Sequence, residues 1–597
     1  MRDPTPAPCG PLRTAHEATF VAHDGVPLFY RHWPAAGPRA GAIVLLHRGH
    51  EHSGRMAHLV DELDLPHFDF CAWDARGHGR SPGERGHAPS FGTSVRDLQT
   101  FTDHIGHEHG VAVEDLSVIA QSVAAVLCAA WVHDYAPRLR AQVLASPAFG
   151  VKLYVPLARP ALALARRLRG NFFVTSYVKS RFLTRDPQRQ ASYDTDPLIA
   201  RSISVDVLLG LHATARRIVA DAHAIVAPTQ LLVSGADWVV RHRPQHEFFD
   251  RLGSPVKEKL VLDDFLHDTL GERDRAPVVA RVREFLLRMH AQPIGRPDLR
   301  DLDRAGVAHD EARALREPLP WWTPRGLGWA IARTAIRAGT RLSQGMRIGR
   351  DTGFNSGASL DHVYRDRAEG LGPIGRLADR RYLDAPGWRG IRRRKVHLEE
   401  LLRLAMDRLR AEGTPVRMLD IAAGHGRYVL DAVAAGGVRP DAIVLRDVDP
   451  RHVAAGTALV RERGLGTIAR FERGDAFDRD ALAAVEPHPT LAIVSGLYEL
   501  FPANDRVAGS LAGLAAAVLP GGWLVYTNQP WHPQLELIAR TLTGPDGAPW
   551  VMRRRTQAEI DDLVRDAGFA KVDQRIDEEG MFTVSLARRV REPDAAR

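Results

Sequence analysis

Three residue types able to hydrolyse an ester or amide by nucleophilic attack occur in the order Ser, Asp, His in the first half of the sequence. Ser122 sits in "SVIAQSVAA", an apolar run leading into a small-residue, helix-prone one. Asp237 lies in "LLVSGADWVV" and His267 in "VLDDFLHDTL". A serine nucleophile needs a base for its proton, a third group to orient that base, and backbone N–H donors at the developing oxyanion. Each of the three follows an apolar, strand-like run, and the C-terminal edge of a parallel sheet is where such folds place chemistry. Asp263 or Asp264, near His267, is the competing orienter. The turn at Ser122 departs from the usual G-x-S-x-G, with Ala120 and Ala124 at the glycine positions. A methyl is the smallest replacement there, and overpacking of that size costs roughly 1–3 kcal/mol where nothing gives way.

The second half carries a different chemistry. "VRMLDIAAGHGRY" (416–428) is an apolar strand closed by Asp420, then a loop with Ala422, Gly424 and Gly426 before a helix. Small residues there let backbone approach a ligand closely. The G-K-[ST] ending of a phosphate-binding loop is absent. Asp447 stands 23 residues past Gly424 at the end of the next strand, where an acid can take ribose hydroxyls.

Two α/β patterns in series must position these residues. The first spans 15–292. A hairpin turns at Asp24-Gly25, and strand-like runs follow at 42–46, 68–72, 116–120, 141–145, 230–234 and 258–262. Helical patterns between most of them indicate a doubly wound parallel sheet. The break over about 150–226 reads as a helical cap. A connector rich in Gly, Pro, Trp and Arg covers 293–394. The second pattern, 395–590, has strands at 416–421, 442–446, 468–472, 491–495 and 522–527, then an antiparallel pair at 570–576 and 581–587. Residues 1–14 read as a flexible N-terminus and 591–597 as a tail.

"HRGHEHSGR" (47–55), "WDARGHGRSPGER" (73–85), "LTRDPQRQASYDTDPLIARSIS" and "SGADWVV" resemble the monoacylglycerol-lipase group of α/β-hydrolases over nearly all of the first domain. That resemblance implies a capped serine hydrolase of lipase or lysophospholipase type, with the backbone N–H groups of Gly49 and Val123 as oxyanion donors. Arg48 stands where the group has glycine. In the second domain D-x-A-x-G-x-G resembles the first motif of class I S-adenosylmethionine-dependent methyltransferases, a Rossmann-like fold. The likeness implies S-adenosyl-L-methionine as cofactor, with Asp475 in "FERGDAFD" facing the adenine amino group. It also places the methyl acceptor near the loops after strands four and five, "SGLYELF" and "TNQPWHP", making Tyr498, Glu499, Asn528, Trp531 and His532 candidate contacts. "SGLYEL" differs from the Asn-Pro-Pro-aromatic run of base-modifying members, so a nucleobase is not the expected acceptor.

A chain of 597 residues exceeds one core, and 45% hydrophobic with 25% charged residues is an ordinary soluble composition. No signal peptide, membrane span or C-x-x-C spacing appears, so a cytoplasmic protein without a metal site is expected. The net charge of +8 comes mostly from arginine, with no aromatic-interleaved basic stretch to suggest nucleic acid. In "PRGLGWAIARTAIRAGTRL" (324–342), Arg333, Arg337 and Arg341 recur every four residues beside Trp321-Trp322. Such a basic amphipathic helix either packs between domains or lies on an anionic membrane surface. The reading is a bifunctional enzyme, hydrolase then methyltransferase. Its alternative keeps methyl transfer alone and makes the first domain a non-catalytic acyl-chain or membrane-binding module.

Overall fold

The computed structural model describes residues 13–293, 295–354, 356–544 and 547–590. All but the last two residues of the expected flexible N-terminus, and the whole 591–597 tail, lie outside them. The chain divides into two compact units, Met1–Pro297 and Asp298–Arg597.

In the first unit eight strands form one sheet in the order His16–Val21, Pro27–Trp33, Phe68–Trp73, Gly41–Leu46, Leu116–Gln121, Ala141–Ala145, Thr229–Ser234, Lys257–Leu262. The first strand pairs antiparallel with the second, as the Asp24-Gly25 turn predicts, and the second pairs antiparallel with Phe68–Trp73. The remaining pairings are parallel. Strands Gly41–Leu46, Phe68–Trp73, Leu116–Gln121 and Ala141–Ala145 are buried at every position, as a sheet covered on both faces requires. The alanine-rich helix Val123–Tyr135 is buried at all positions but the first, since small side chains let it sit tight on the sheet. Between Ala145 and Thr229 lie helices Ala158–Arg169, Pro187–Thr195 and Val205–Ala220 and a two-stranded ribbon, Phe173–Thr175 with Ser202–Ser204.

The second unit holds a seven-stranded sheet ordered Ala469–Arg473, Ala442–Asp447, Arg417–Asp420, Leu491–Val494, Trp523–Asn528, Thr583–Arg589, Phe569–Ile576. Five strands are parallel and the last two run as an antiparallel hairpin, the Rossmann-like methyltransferase arrangement.

The expected connector is not a linker. Asp298 onward belongs to the second unit, and helices Val307–Arg316, Pro324–Gly339, Gln344–Thr352, Gly357–Arg365 and Gly372–Leu383 fill this segment. Helix Pro386–Ala411 runs straight through the expected boundary at 394, because Ile391, Leu398, Leu401, Leu402 and Ala405 form one buried stripe at helical spacing. The basic stripe is also corrected. Helix Pro324–Gly339 carries exposed Arg333 and Arg337, but Arg341 lies past its C-cap, Thr340. Trp329 and Ile336 are half-buried on this helix, while Leu327 and Ile331 stay exposed. Among the described residues no helix is long and apolar enough to cross a membrane.

Candidate active sites

Ser122 ends strand Leu116–Gln121 and opens helix Val123–Tyr135 with φ 60° and ψ −115°, a conformation a serine adopts only under constraint. The constraint is visible. Its N–H donates to Ala145 O at 2.9 Å and its carbonyl accepts from Ala148 N at 3.0 Å. Ala120 and Ala124 are both buried beside this turn, so the methyls that replace the usual glycines are accommodated.

The turn aims Ser122 Oγ at His267 Nε2, 2.7 Å away, and His267 Nδ1 lies 2.7 Å from Asp237 Oδ2. Asp237 Oδ1 accepts the N–H groups of Val239 and Val240 at 2.7 and 3.0 Å. Burial alone would raise the Asp237 carboxyl; the His267 ring and these two N–H groups outweigh it and hold the group below the usual carboxylate range. All three side chains are buried. Asp263 and Asp264 are exposed, and Asp264 pairs with Arg185, so the orienting acid beside His267 is Asp237.

Val123 opens the helix, so its N–H has no intrahelical acceptor. Gly49 lies against it: a Cβ at Gly49 would stand 2.9 Å from Val123 Cγ2. Arg48 does not enter this space as a free charge. Its Nε donates to Glu51 Oε2 at 2.9 Å and its Nη2 stands 3.6 Å from Asp268, which also pairs with Arg189. Burial opposes both charges here, yet Arg189 and Arg48 hold the Asp268 carboxyl far below its ordinary value. Gln121, the residue before the serine, donates to Asp268 Oδ1 at 3.0 Å and so ties the turn to this network. A cavity of about 120 Å³ opens from Ser122 and His267 between apolar walls that include Leu153, Val174, Leu208 and Val239.

In the second unit the loop after strand Arg417–Asp420 runs through Gly424 and Gly426, at φ 57° and 71°, into helix Arg427–Ala435. Ala422, Gly424, Asp447 and Asp475 all line one cavity of about 460 Å³. Asp447 ends strand Ala442–Asp447; its Oδ2 accepts Gly424 N–H at 2.9 Å, its Oδ1 accepts Asp449 N–H at 2.9 Å, and His452 Nδ1 stands 3.1 Å away. The acid thus holds the loop, with acceptor capacity left over. Asp475 Oδ1 accepts Phe477 N–H at 2.9 Å. Asp449 caps helix Pro450–Glu462 through Arg451 N–H.

Two predicted cradle residues are placed elsewhere. Asp420 is fully buried behind the loop, where Tyr428 OH donates to it at 2.5 Å and Ala422 N–H at 3.3 Å. Burial pushes its carboxyl up to about 7, against those two hydrogen bonds. Gly426 is a packing position: a Cβ there would stand 3.0 Å from Leu445 Cδ1. Of the five acceptor candidates, Glu499 and His532 line a second cavity described below. Tyr498 is in the core with its OH on Ser510, Asn528 donates to Arg555 O, and Trp531 lies under Arg554, so these three are occupied structurally.

Sequence reasoning missed the roof of the cradle. Helix Gly357–Arg365, from the supposed connector, lies over the glycine loop. Gly357 Cα would be 3.7 Å from a Cβ at Gly424, and Asp361 pairs with Arg427. Its only signal was Ser356, whose side chain caps the helix by accepting Ser359 N–H.

Comparisons with known proteins agree with both halves. The family model described as "Serine aminopeptidase, S33" matches residues 37–274. An uncharacterized protein, YnbC of Escherichia coli K12, is 54% identical over 96% of this chain and 98% of its own. The monoacylglycerol lipase of Mycolicibacterium smegmatis is 24% identical over 46% of this chain and 98% of its own. A crystal structure of Paleococcus ferrophilus monoacylglycerol lipase covers 44% of this chain and 99% of its own, at 23% identity and a TM-score of 0.40. The family model described as "Putative methyltransferase" matches residues 282–589, and the chain belongs to that family, with its methyltransferase fold carried behind an α/β-hydrolase.

Proposed function

We propose that the chain is a bifunctional enzyme: an N-terminal serine hydrolase of lipid-like esters and a C-terminal S-adenosylmethionine-dependent methyltransferase. The observation that carries the first activity is the continuous hydrogen-bonded line Ser122–His267–Asp237 at 2.7 and 2.7 Å, opening into an apolar cavity. Ser122 Oγ attacks the ester carbonyl while His267 Nε2 takes its proton, and the N–H groups of Gly49 and Val123 receive the oxyanion. His267 returns the proton to the leaving alcohol, and water then releases the acid by the same route. An aminopeptidase needs an acid to hold the substrate's α-amino group. No Asp or Glu lines this cavity among the described residues, which disfavours a substrate with a free α-amino group.

The second cradle suits an adenosyl group: a loop of small residues, Ala422, Ala423, Gly424 and Gly426, with His425 among them on the wall, Asp447 at the ribose position, and Asp475 beside Phe477, which Arg506 covers at 4.3 Å. S-adenosylmethionine would supply an electrophilic methyl there, and the chain's part is to hold and orient it. A fluorophosphonate probe tests the first activity. Mass-mapped labelling at Ser122 is expected, and an unlabelled Ser122 would favour the alternative, a non-catalytic acyl-binding module.

A peripheral contact with anionic membrane is a secondary reading. Trp321, Trp322, Leu327 and Ile331 are 75, 72, 55 and 62% exposed near Arg333 and Arg337. Co-sedimentation with anionic vesicles should fall as salt rises from about 0.1 M to about 1 M, where screening shortens from about 10 to about 3 Å. Salt-independent or absent binding retires it.

A further inference from the structure

A second cavity in the C-terminal unit, of about 290 Å³, adjoins the cofactor cradle: Leu360, Arg394, Gly496 and Leu500 belong to both walls. Its body is apolar, formed by Phe354, Trp388, Ile391, Ile538, Leu542 and Met552. Its polar groups are few, the usual make-up of a small-molecule site.

Glu499 is the most informative of them. Its side chain is buried; Oε1 accepts from Thr527 Oγ1 at 2.8 Å and lies 3.7 Å from Arg394 Nη1. Oε2 is buried without a partner. A buried carboxyl oxygen left bare costs free energy unless a ligand donor meets it. Gly496, at φ 68°, lies against this wall: a Cβ there would be 3.0 Å from Arg394 Nη2, so glycine leaves room for the guanidinium, which borders both cavities. His532 is a further polar wall. Its Nδ1 accepts Gln534 N–H at 3.1 Å, which leaves the ring proton on Nε2. Burial, and then Arg554, push this ring down to about 4, so it is neutral.

We propose that this cavity is the methyl-acceptor site and that it takes a molecule with an apolar body and one hydroxyl or amine head directed at Glu499 Oε2. The assignment rests on the methyltransferase reading above. A carboxylate head has no proton to donate to Oε2 and does not fit this role. The head's lone pair forms the bond to the methyl carbon as the carbon–sulfur bond of the sulfonium donor breaks and its electron pair returns to sulfur. Glu499 Oε2 takes the head's proton, so charge and atoms balance with no further reactant.

The test is photolabelling of the full chain by a diazirine-bearing dodecanol in the presence of S-adenosylhomocysteine, with labelled peptides mapped by mass spectrometry. Labels are expected on peptides carrying Ile336, Trp388 or Leu537–Leu542. Ala385→Trp, which fills the cavity and leaves the cradle alone, should cut that labelling at least about tenfold, with S-adenosylhomocysteine affinity within about twofold. Glu499→Gln keeps the shape: labelling should persist, and methyl transfer to the hydroxyl probe should fall about 10²–10⁴-fold. Labels confined to the hydrolase cap, undiminished labelling in Ala385→Trp, or unchanged transfer in Glu499→Gln would overturn the assignment. Absence of S-adenosylhomocysteine binding to wild type by calorimetry defeats the methyltransferase reading itself, and the acceptor role with it, whatever the label map.

Discussion

Gly49 and Val123 are in contact across the mouth of the nucleophile turn, and a Cβ at Gly49 would come within 2.9 Å of Val123 Cγ2. The two backbone N–H groups proposed to hold the oxyanion therefore depend on one glycine for their spacing. Gly49→Ala should push them apart and lower kcat for a short-chain chromogenic ester about 10²–10³-fold, the effect of losing one oxyanion donor. KM and S-adenosylhomocysteine affinity should hold.

The alanines of the turn make the opposite prediction. Ser122 already reaches His267 at 2.7 Å with Ala124 in place, so restoring glycine there gains nothing for the chemistry. Ala124→Gly should leave hydrolysis within about threefold and destabilise the helix by about 0.5–1 kcal/mol, read as a lower melting temperature. A tenfold gain in rate would mean that the methyl does obstruct the turn.

Arg48 is structural in this account. Arg48→Met leaves Glu51 and Asp268 buried with Arg55 and Arg189 as their ion-pair partners and Gln121 still donating to Asp268. Breaking a buried pair by removing one member costs about 3–5 kcal/mol, and the surviving arginines place this case at the low end. Urea unfolding of the hydrolase unit followed by labelling at Ser122 would read it, and an unshifted midpoint would contradict it.

The triad was legible because each member follows an apolar strand at a parallel sheet's C-terminal edge, a relation that sequence periodicity reports. Asp447 was legible by its spacing from the glycine loop. Asp420 was not: an apolar run says that the strand is covered, but not that Tyr428 closes over the carboxyl from the next helix. The roof from Gly357–Arg365 was hidden for a related reason. Gly, Pro and Arg in 293–394 look like a linker until tertiary packing shows which apolar residues meet the second sheet. Tyr498, Asn528 and Trp531 sit on the correct loops, but a loop's position does not say which of its side chains turn inward to the core.

Asp420 gives a pH prediction. Its folded value, about 7, lies above the unfolded carboxylate value. The neutral form is therefore favoured by folding, and this contribution is full below about pH 4 and lost as pH rises through about 7. Asp420→Asn fixes the neutral shape. Between pH 4 and 8 wild type should lose up to roughly 4 kcal/mol relative to the variant in denaturant titrations. Parallel pH profiles for the two proteins would refute the burial argument.

The central claim is that one chain holds two independent sites, and Asp447 tests it most directly. Asp447→Ala removes the proposed ribose acceptor and releases the Gly424 loop that its Oδ2 holds at 2.9 Å. Loss of a charge-assisted hydrogen bond costs about 1.5–3 kcal/mol, so titration calorimetry should show S-adenosylmethionine binding about 10–150-fold weaker while ester hydrolysis at Ser122 continues at the wild-type rate. Wild-type affinity in Asp447→Ala, or hydrolysis lost together with cofactor binding, would contradict the account.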